Sequence, residues 1–133
     1  MPIITAQEIS AIAFTEPIDL ALINDEIINA AEGKYLISAI TKLVYDDLLL
    51  HPVKYATLIA NYINPYLAYC VKFLLYSQNQ LEISPNQNRA DIVNELNLIM
   101  QAKKDLLIKH LANSIYPLYI SPVKKRVSGF IIK

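Results

Sequence analysis

The sequence predicts an all-α protein: a small bundle of four to five helices over residues 1–118, with an extended C-terminal arm or strand over 119–133. Three observations carry that expectation. The chain has 133 residues and only two glycines, and long runs without turn residues favour long helices over an all-β fold. Apolar residues make up 54% and charged ones 18%, which excludes intrinsic disorder and suggests that a partner covers some apolar surface. Finally, apolar positions recur every three or four residues through most of the first 118, the period of a helix with one buried face.

The elements follow in order. Thr5-Ala-Gln-Glu8 has the form of a capping box, so a short helix should start there and end near Ala13. Pro17 and Asp19 suit the first turn of a second helix. Leu20, Ile23, Ile27, Ala31, Tyr35 and Ala39 extend it to about Ile40, with Asp25, Asn29 and Glu32 on the polar side. Gly33 costs that helix about 1 kcal/mol against alanine, and one continuous helix is expected through it. Thr41 then reads as the N-cap of a short helix to Leu50, stopped by His51-Pro52.

Residues 54–77 are the most apolar stretch, with Lys54, Thr57, Asn61, Asn64 and Lys72 forming one thin polar stripe. A helix of that kind is buried nearly all round, and Pro65 should kink it or restart it with Asn64 as cap. It is not expected to cross a membrane: Asn61, Asn64 and Lys72 lie inside the window, and no Trp belt or basic flank accompanies it. A polar loop from Ser77 to Asn88 leads into a last long helix from Arg89 to about Ile115. Ile92, Leu96, Ile99, Leu106, Leu107 and Leu111 form its apolar side, and Pro117 ends it. The tail from Tyr119 to Lys133 is β-branched, partly alternating and interrupted by Pro122 and Gly129, hence an extended segment too short to fold alone.

Chemistry is sparse. No phosphate-binding, dinucleotide-binding, CxxC, HExxH or GxSxG pattern occurs. Two histidines and one cysteine give neither zinc-ligand spacing nor a Cys-His nucleophile pair. Asp46 and Asp47 point about 100° apart on a helix and read as a solvated face, Cys70 as core and His51 as a loop residue. Neither an enzyme nor a cofactor or metal site is expected. The lone cysteine fits a reducing compartment, and Met1 to Ser10 shows no basic stretch leading into an apolar core, so no signal peptide is expected.

Net charge is zero but unevenly spread. Residues 1–50 hold eight acids against Lys34 and Lys42, a net −6, and residues 51–133 hold ten bases against four acids, a net +6. The halves can pair within one monomer, or join copies front to back, a contact that closes a ring when the rotation allows it. The candidate interface is the tail: Lys124, Lys125, Arg126, Val127, Phe130, Ile131 and Ile132. Three charges with sparse aromatics are a poor nucleic-acid patch. Strand addition to a neighbouring subunit accounts better for apolar side chains on a segment with no fold of its own.

The order of elements, with Ala30-Ala-Glu-Gly-Lys-Tyr-Leu36 leading into Leu43-Val-Tyr-Asp-Asp-Leu48 and then Tyr62-Ile-Asn-Pro-Tyr-Leu-Ala68, resembles the head–tail connector (adaptor, or neck ring) proteins of tailed bacteriophages. It looks closest to those of the crAss-like and other Bacteroides phages, over about residues 18–116. One departure is Ile40-Thr41 where such proteins often carry Leu-Gly. The resemblance implies a non-catalytic ring subunit, commonly twelve-fold, made in the host cytoplasm and placed in the virion neck. There it would sit below the portal protein, extend the DNA channel without sequence-specific binding, and support the next neck or tail protein. From another class, a cytosolic helical adaptor or regulator, monomeric or dimeric, also fits the residues.

Overall fold

A computed structural model describes residues 3–16, 18–112, 116, 118 and 119. Thr5 opens α1 (Ala6–Ala13) through the expected reciprocal pair: its hydroxyl accepts the Glu8 N–H at 3.2 Å and its own N–H donates to the Glu8 carboxylate at 3.0 Å. Ile9 and Ala13 bury the inner face.

The second helix starts later than its apolar period suggests. Asp19 accepts the Ala21 N–H and caps a single 3-10 turn, Leu20–Leu22. Asn24 then accepts the Ile27 N–H at 2.9 Å and caps α2, residues 25–40. Two short polar side chains that satisfy nearby amides thus interrupt the helix where periodicity alone carries on, and Leu20 is left 40% exposed. Pro17 lies outside the described residues.

α2 is continuous through Gly33, as expected, but contains a π-helical turn at Glu32–Leu36. The extra residue rotates the helix beyond it, so Leu36 is fully buried while Tyr35 is only half-buried. Glu32, the first residue of that turn, lies four residues after the buried Ile28 and faces inward with it. Expected on the solvated face, Glu32 is 3% exposed and accepts from the Ile3 N–H and the Tyr45 hydroxyl, each at 2.9 Å.

Thr41 joins α2 to α3 (Lys42–Leu50) with φ 73° and ψ 156°, a conformation that suits glycine. It sits at the N-cap position, yet its hydroxyl caps nothing and is buried without a hydrogen-bond partner among the described residues. His51 and Pro52 end α3 as expected. Pro52 opens α4, residues 52–77, whose first turn is 3-10 (Pro52–Tyr55) and which holds a second π turn, Ile59–Ile63. That turn directly precedes Pro65, which has no N–H to give and whose ring crowds the carbonyl four residues back. The Asn64 N–H reaches to Ile59 instead, widening the helix there. Asn64 keeps helical angles, makes no cap and is 8% exposed. Of the two outcomes expected at Pro65, the restart capped by Asn64 does not occur.

The rest of α4 is buried on nearly every side, as the thin polar stripe predicts, with Leu67, Ala68, Cys70, Val71 and Leu75 at 0–1% exposure. It packs chiefly against α5 (Arg89–Leu111) and α1, and less extensively against α2. α5 is capped by Asn88, which accepts the Ala90 N–H at 2.8 Å. Its buried positions are Leu96, Met100, Leu107 and Leu111, whereas Leu106, expected among them, is 54% exposed. Residues 113–115 and 117, where this helix is expected to finish, lie outside the described set.

The protein is therefore an all-α bundle, and among the described residues there is no strand. No described helix is long and apolar enough to cross a membrane.

Two substitutions test the backbone assignments. Thr41→Gly relieves a conformation that costs a side-chain-bearing residue roughly 1–3 kcal/mol and removes an unpartnered buried hydroxyl. Glycine's larger unfolded-state freedom takes back about 0.5–1 kcal/mol. Unfolding in urea should show a net gain of about 1–2 kcal/mol, and an unchanged or lower midpoint refutes the assignment. At Gly33 a Cβ would project into open space, so Gly33→Ala should raise stability by roughly 0.5–1 kcal/mol. A lower melting temperature would instead mean that the π turn needs glycine.

Candidate interaction surface

Helix α3 carries more apolar side chains than one face can hold. Val44 and Leu48 point into the core at 0% and 1% exposure, which already supplies the inner stripe of a nine-residue helix. Leu43, Leu49 and Leu50, with Val53 in the first turn of α4, are left 60%, 47%, 75% and 88% exposed. Single exposed leucines are ordinary, but four large apolar residues within eleven positions of one corner are not. Elsewhere Leu98 and Leu106 protrude from α5 eight residues apart.

Charge borders this corner. Asp46 pairs with Lys42 at 2.9 Å on open surface. Asp47, expected in solvent, is drawn inward: it accepts the Tyr55 hydroxyl at 2.5 Å and the Lys54 ammonium at 3.2 Å, with His51 at 4.0 Å. The Tyr55 hydrogen bond, then Lys54, holds the Asp47 carboxyl below its ordinary value. Burial, reinforced by Asp47, pushes the Tyr55 phenol up to about 12.

From Tyr55 a run of rings leads to the C-terminal end of the described chain. Tyr55 stacks on Tyr116 at 6.0 Å, the Tyr116 hydroxyl lies 2.9 Å from His110 Nε2, and the His110 ring stacks on Tyr62 at 4.1 Å. Tyr119 donates its N–H to the Tyr116 carbonyl and is 9% exposed against the core. The chain is thus fastened beside the α3–α4 corner just before residue 120. The seven residues singled out from sequence, Lys124, Lys125, Arg126, Val127, Phe130, Ile131 and Ile132, all lie outside the described residues. Tyr55, Tyr62, His110 and Tyr116 are not distinguished by any sequence motif; the seven-residue spacing of Tyr55 and Tyr62, two helical turns, is the signal that points to them.

Other groups are structural. Two open clefts, of about 260 and 400 Å³, flank α4. The second contains Lys72, which donates to the Ala13 carbonyl at 2.8 Å and lies 4.9 Å over the Phe14 ring. Burial lowers the Lys72 pKa, but that ammonium is already engaged. Burial also pushes the Cys70 thiol up to about 12, in keeping with an inert core residue. Among the described residues, no three His, Cys, Asp or Glu side chains converge as a metal site. No family model, curated protein or solved structure matches the chain.

The Asp47–Tyr55 link has a pH signature. A carboxyl with a lowered folded-state pKa contributes stability that is complete above its unfolded value, 3.8, and is lost as pH falls through the lower folded value. Asp47→Asn should therefore flatten the acid limb of a stability-against-pH curve below about 3.8. Superimposable acid limbs for parent and variant would rule the link out as a stabilising contact.

Proposed function

We propose that this chain is a structural virion protein, a head–tail connector subunit that joins a homo-oligomeric ring, twelve-fold in the proteins it resembles, in the neck of a tailed phage. In that setting the ring stacks below the portal, extends the DNA channel without sequence-specific contacts, and carries the next neck or tail protein. The reading assigns no catalytic residue, cofactor or metal.

The observation that carries it is the corner of α3 and α4, where a bundle with a filled core still exposes Leu43, Leu49, Leu50 and Val53. Such a patch serves contact with another chain. Three further points support the reading. The front of the chain is acidic and the back basic, a split that lets copies attract one another front to back in a heterologous contact. The order of helices is the one from which the resemblance was read. Ile40-Thr41 departs from the Leu-Gly that the resembling proteins often carry, yet Thr41 adopts the positive φ that favours glycine. The same corner fits one helix of an unrelated partner, and that favours the second reading, a cytosolic helical adaptor or regulator acting as monomer or dimer. Mass by light scattering separates the two, with and without a portal ring present. Portal and major-capsid genes beside this one would point the same way.

A truncation tests the part played by the tail. Tyr119 belongs to the core, so the cut falls after it. A chain ending at residue 119 should keep the helical signal and melting temperature of the parent while its scattering mass drops to one protomer. If it still forms the parent ring, the tail is not the clasp.

A further inference from the structure

We propose that the exposed α3–α4 corner is the acceptor for residues 120–133 of a neighbouring copy of this chain, held by side-chain packing and charge rather than by strand pairing. The inference rests on the assembly reading above and assigns the contact that closes it. Strand addition needs an edge with unpaired N–H and C=O groups, and the described residues contain only helices and turns. A tail that docks on this body must use side chains.

The two surfaces match. The corner offers Leu43, Leu49, Leu50 and Val53 next to Asp46, Asp47 being engaged by Tyr55 and Lys54. The tail offers Phe130, Ile131 and Ile132 after Lys124, Lys125 and Arg126. Among the described residues Asp46 pairs with Lys42, both more than half-exposed; such a pair is worth roughly 0–1 kcal/mol and is readily exchanged for an incoming base.

Reach selects the neighbour over the chain itself. Tyr119 is fastened through Tyr116 to Tyr55, on the same corner. A tail folding back onto its own corner would use the residues directly after Tyr119. The apolar triplet instead begins eleven residues on, an extended span of up to about 36–40 Å, close to the roughly 35 Å diameter of a domain of this size. That spacing carries Phe130 across one subunit to the next corner.

Full-length chains carrying single new cysteines test this. Cys70 is fully buried and does not compete. On mild oxidation, a mixture of Val53→Cys and Ile131→Cys chains should give at least tenfold more heterodimer than Leu98→Cys mixed with Ile131→Cys, since Leu98 is exposed on α5. The doubly substituted chain, Val53→Cys with Ile131→Cys, should give a ladder of multimers. Adding Leu50→Lys, at an exposed position, should cut the cross-link about tenfold with the helical signal unchanged. A circularised monomer from the double variant, or a yield equal to the Leu98 control, overturns the proposal. A parent that forms rings by light scattering while cross-linking no better than the control removes the acceptor assignment alone. Strong cross-linking in a chain that stops at a swapped dimer keeps the acceptor and removes the ring.

Discussion

α4 is apolar on nearly every side between Asn64 and Ser77, and the rest of the molecule is arranged to wall it in. α1, α2 and α5 each supply a face, and a helix so enclosed needs partners for any polar group it carries inward. Lys72 is the clearest case. Its stem lies in the core and its ammonium reaches the Ala13 carbonyl at the C-terminal end of α1, where an orphan carbonyl and the negative end of the helix dipole both favour a cation. Arg89 repeats the device from α5, donating to the Tyr76 carbonyl in the last turn of α4 at 3.0 Å. Two basic residues thus terminate two helices and tie each to the next.

Glu32 solves the opposite problem. A carboxylate at 3% exposure, with no cation bonded to it among the described residues, loses much of its hydration. Hydrogen bonds from the Ile3 amide and the Tyr45 hydroxyl replace part of it, and Tyr45 is pushed up to about 12, by burial first and then by Glu32. The arrangement fixes the N-terminal segment, α2 and α3 to one point. It is possible because Glu32 sits four residues after the buried Ile28, at the point where the π turn begins to rotate the helix beyond it.

That rotation also marks the boundary of what sequence can reveal. Local chemistry is readable: the Thr5–Glu8 box, the His51-Pro52 stop, the Arg89 start and the all-round burial of α4 depend on neighbours in sequence. Non-local effects are not. The π turns slip the apolar period of the residues beyond them by one, so that Leu36 rather than Tyr35 is fully buried, and the second lets the helix run on through Asn64 instead of restarting there. In α5 the buried stripe runs through Leu96, Met100, Leu107 and Leu111, and Leu106, one residue from Leu107, falls about 100° away from it; in the intervening turn the Lys103 ammonium lies 5.8 Å over the Tyr69 ring. As for the interaction surface, the sequence directs attention to the tail, whose interface residues fall outside the described set. The leucines of α3 draw none, since a run of apolar residues does not say which of them the core will leave out.

The size of the exposed corner bears on how an assembly would form. Its four side chains are between about half and nine-tenths exposed, so covering them is worth roughly 5 kcal/mol at about 2 kcal/mol for each fully covered side chain. Association of free chains costs about 4–15 kcal/mol before any contact is rewarded. One corner therefore roughly breaks even, and two copies meeting in dilute solution would not stay together on this contact alone. In a closed ring every subunit both gives and receives a tail, and the last joint forms without a further loss of translational freedom. A template that holds subunits side by side has the same effect, because it replaces bulk concentration by a local one in the millimolar range. A contact of this strength favours growth on a platform over spontaneous pairing, which suits a subunit that should assemble only where its platform is already in place.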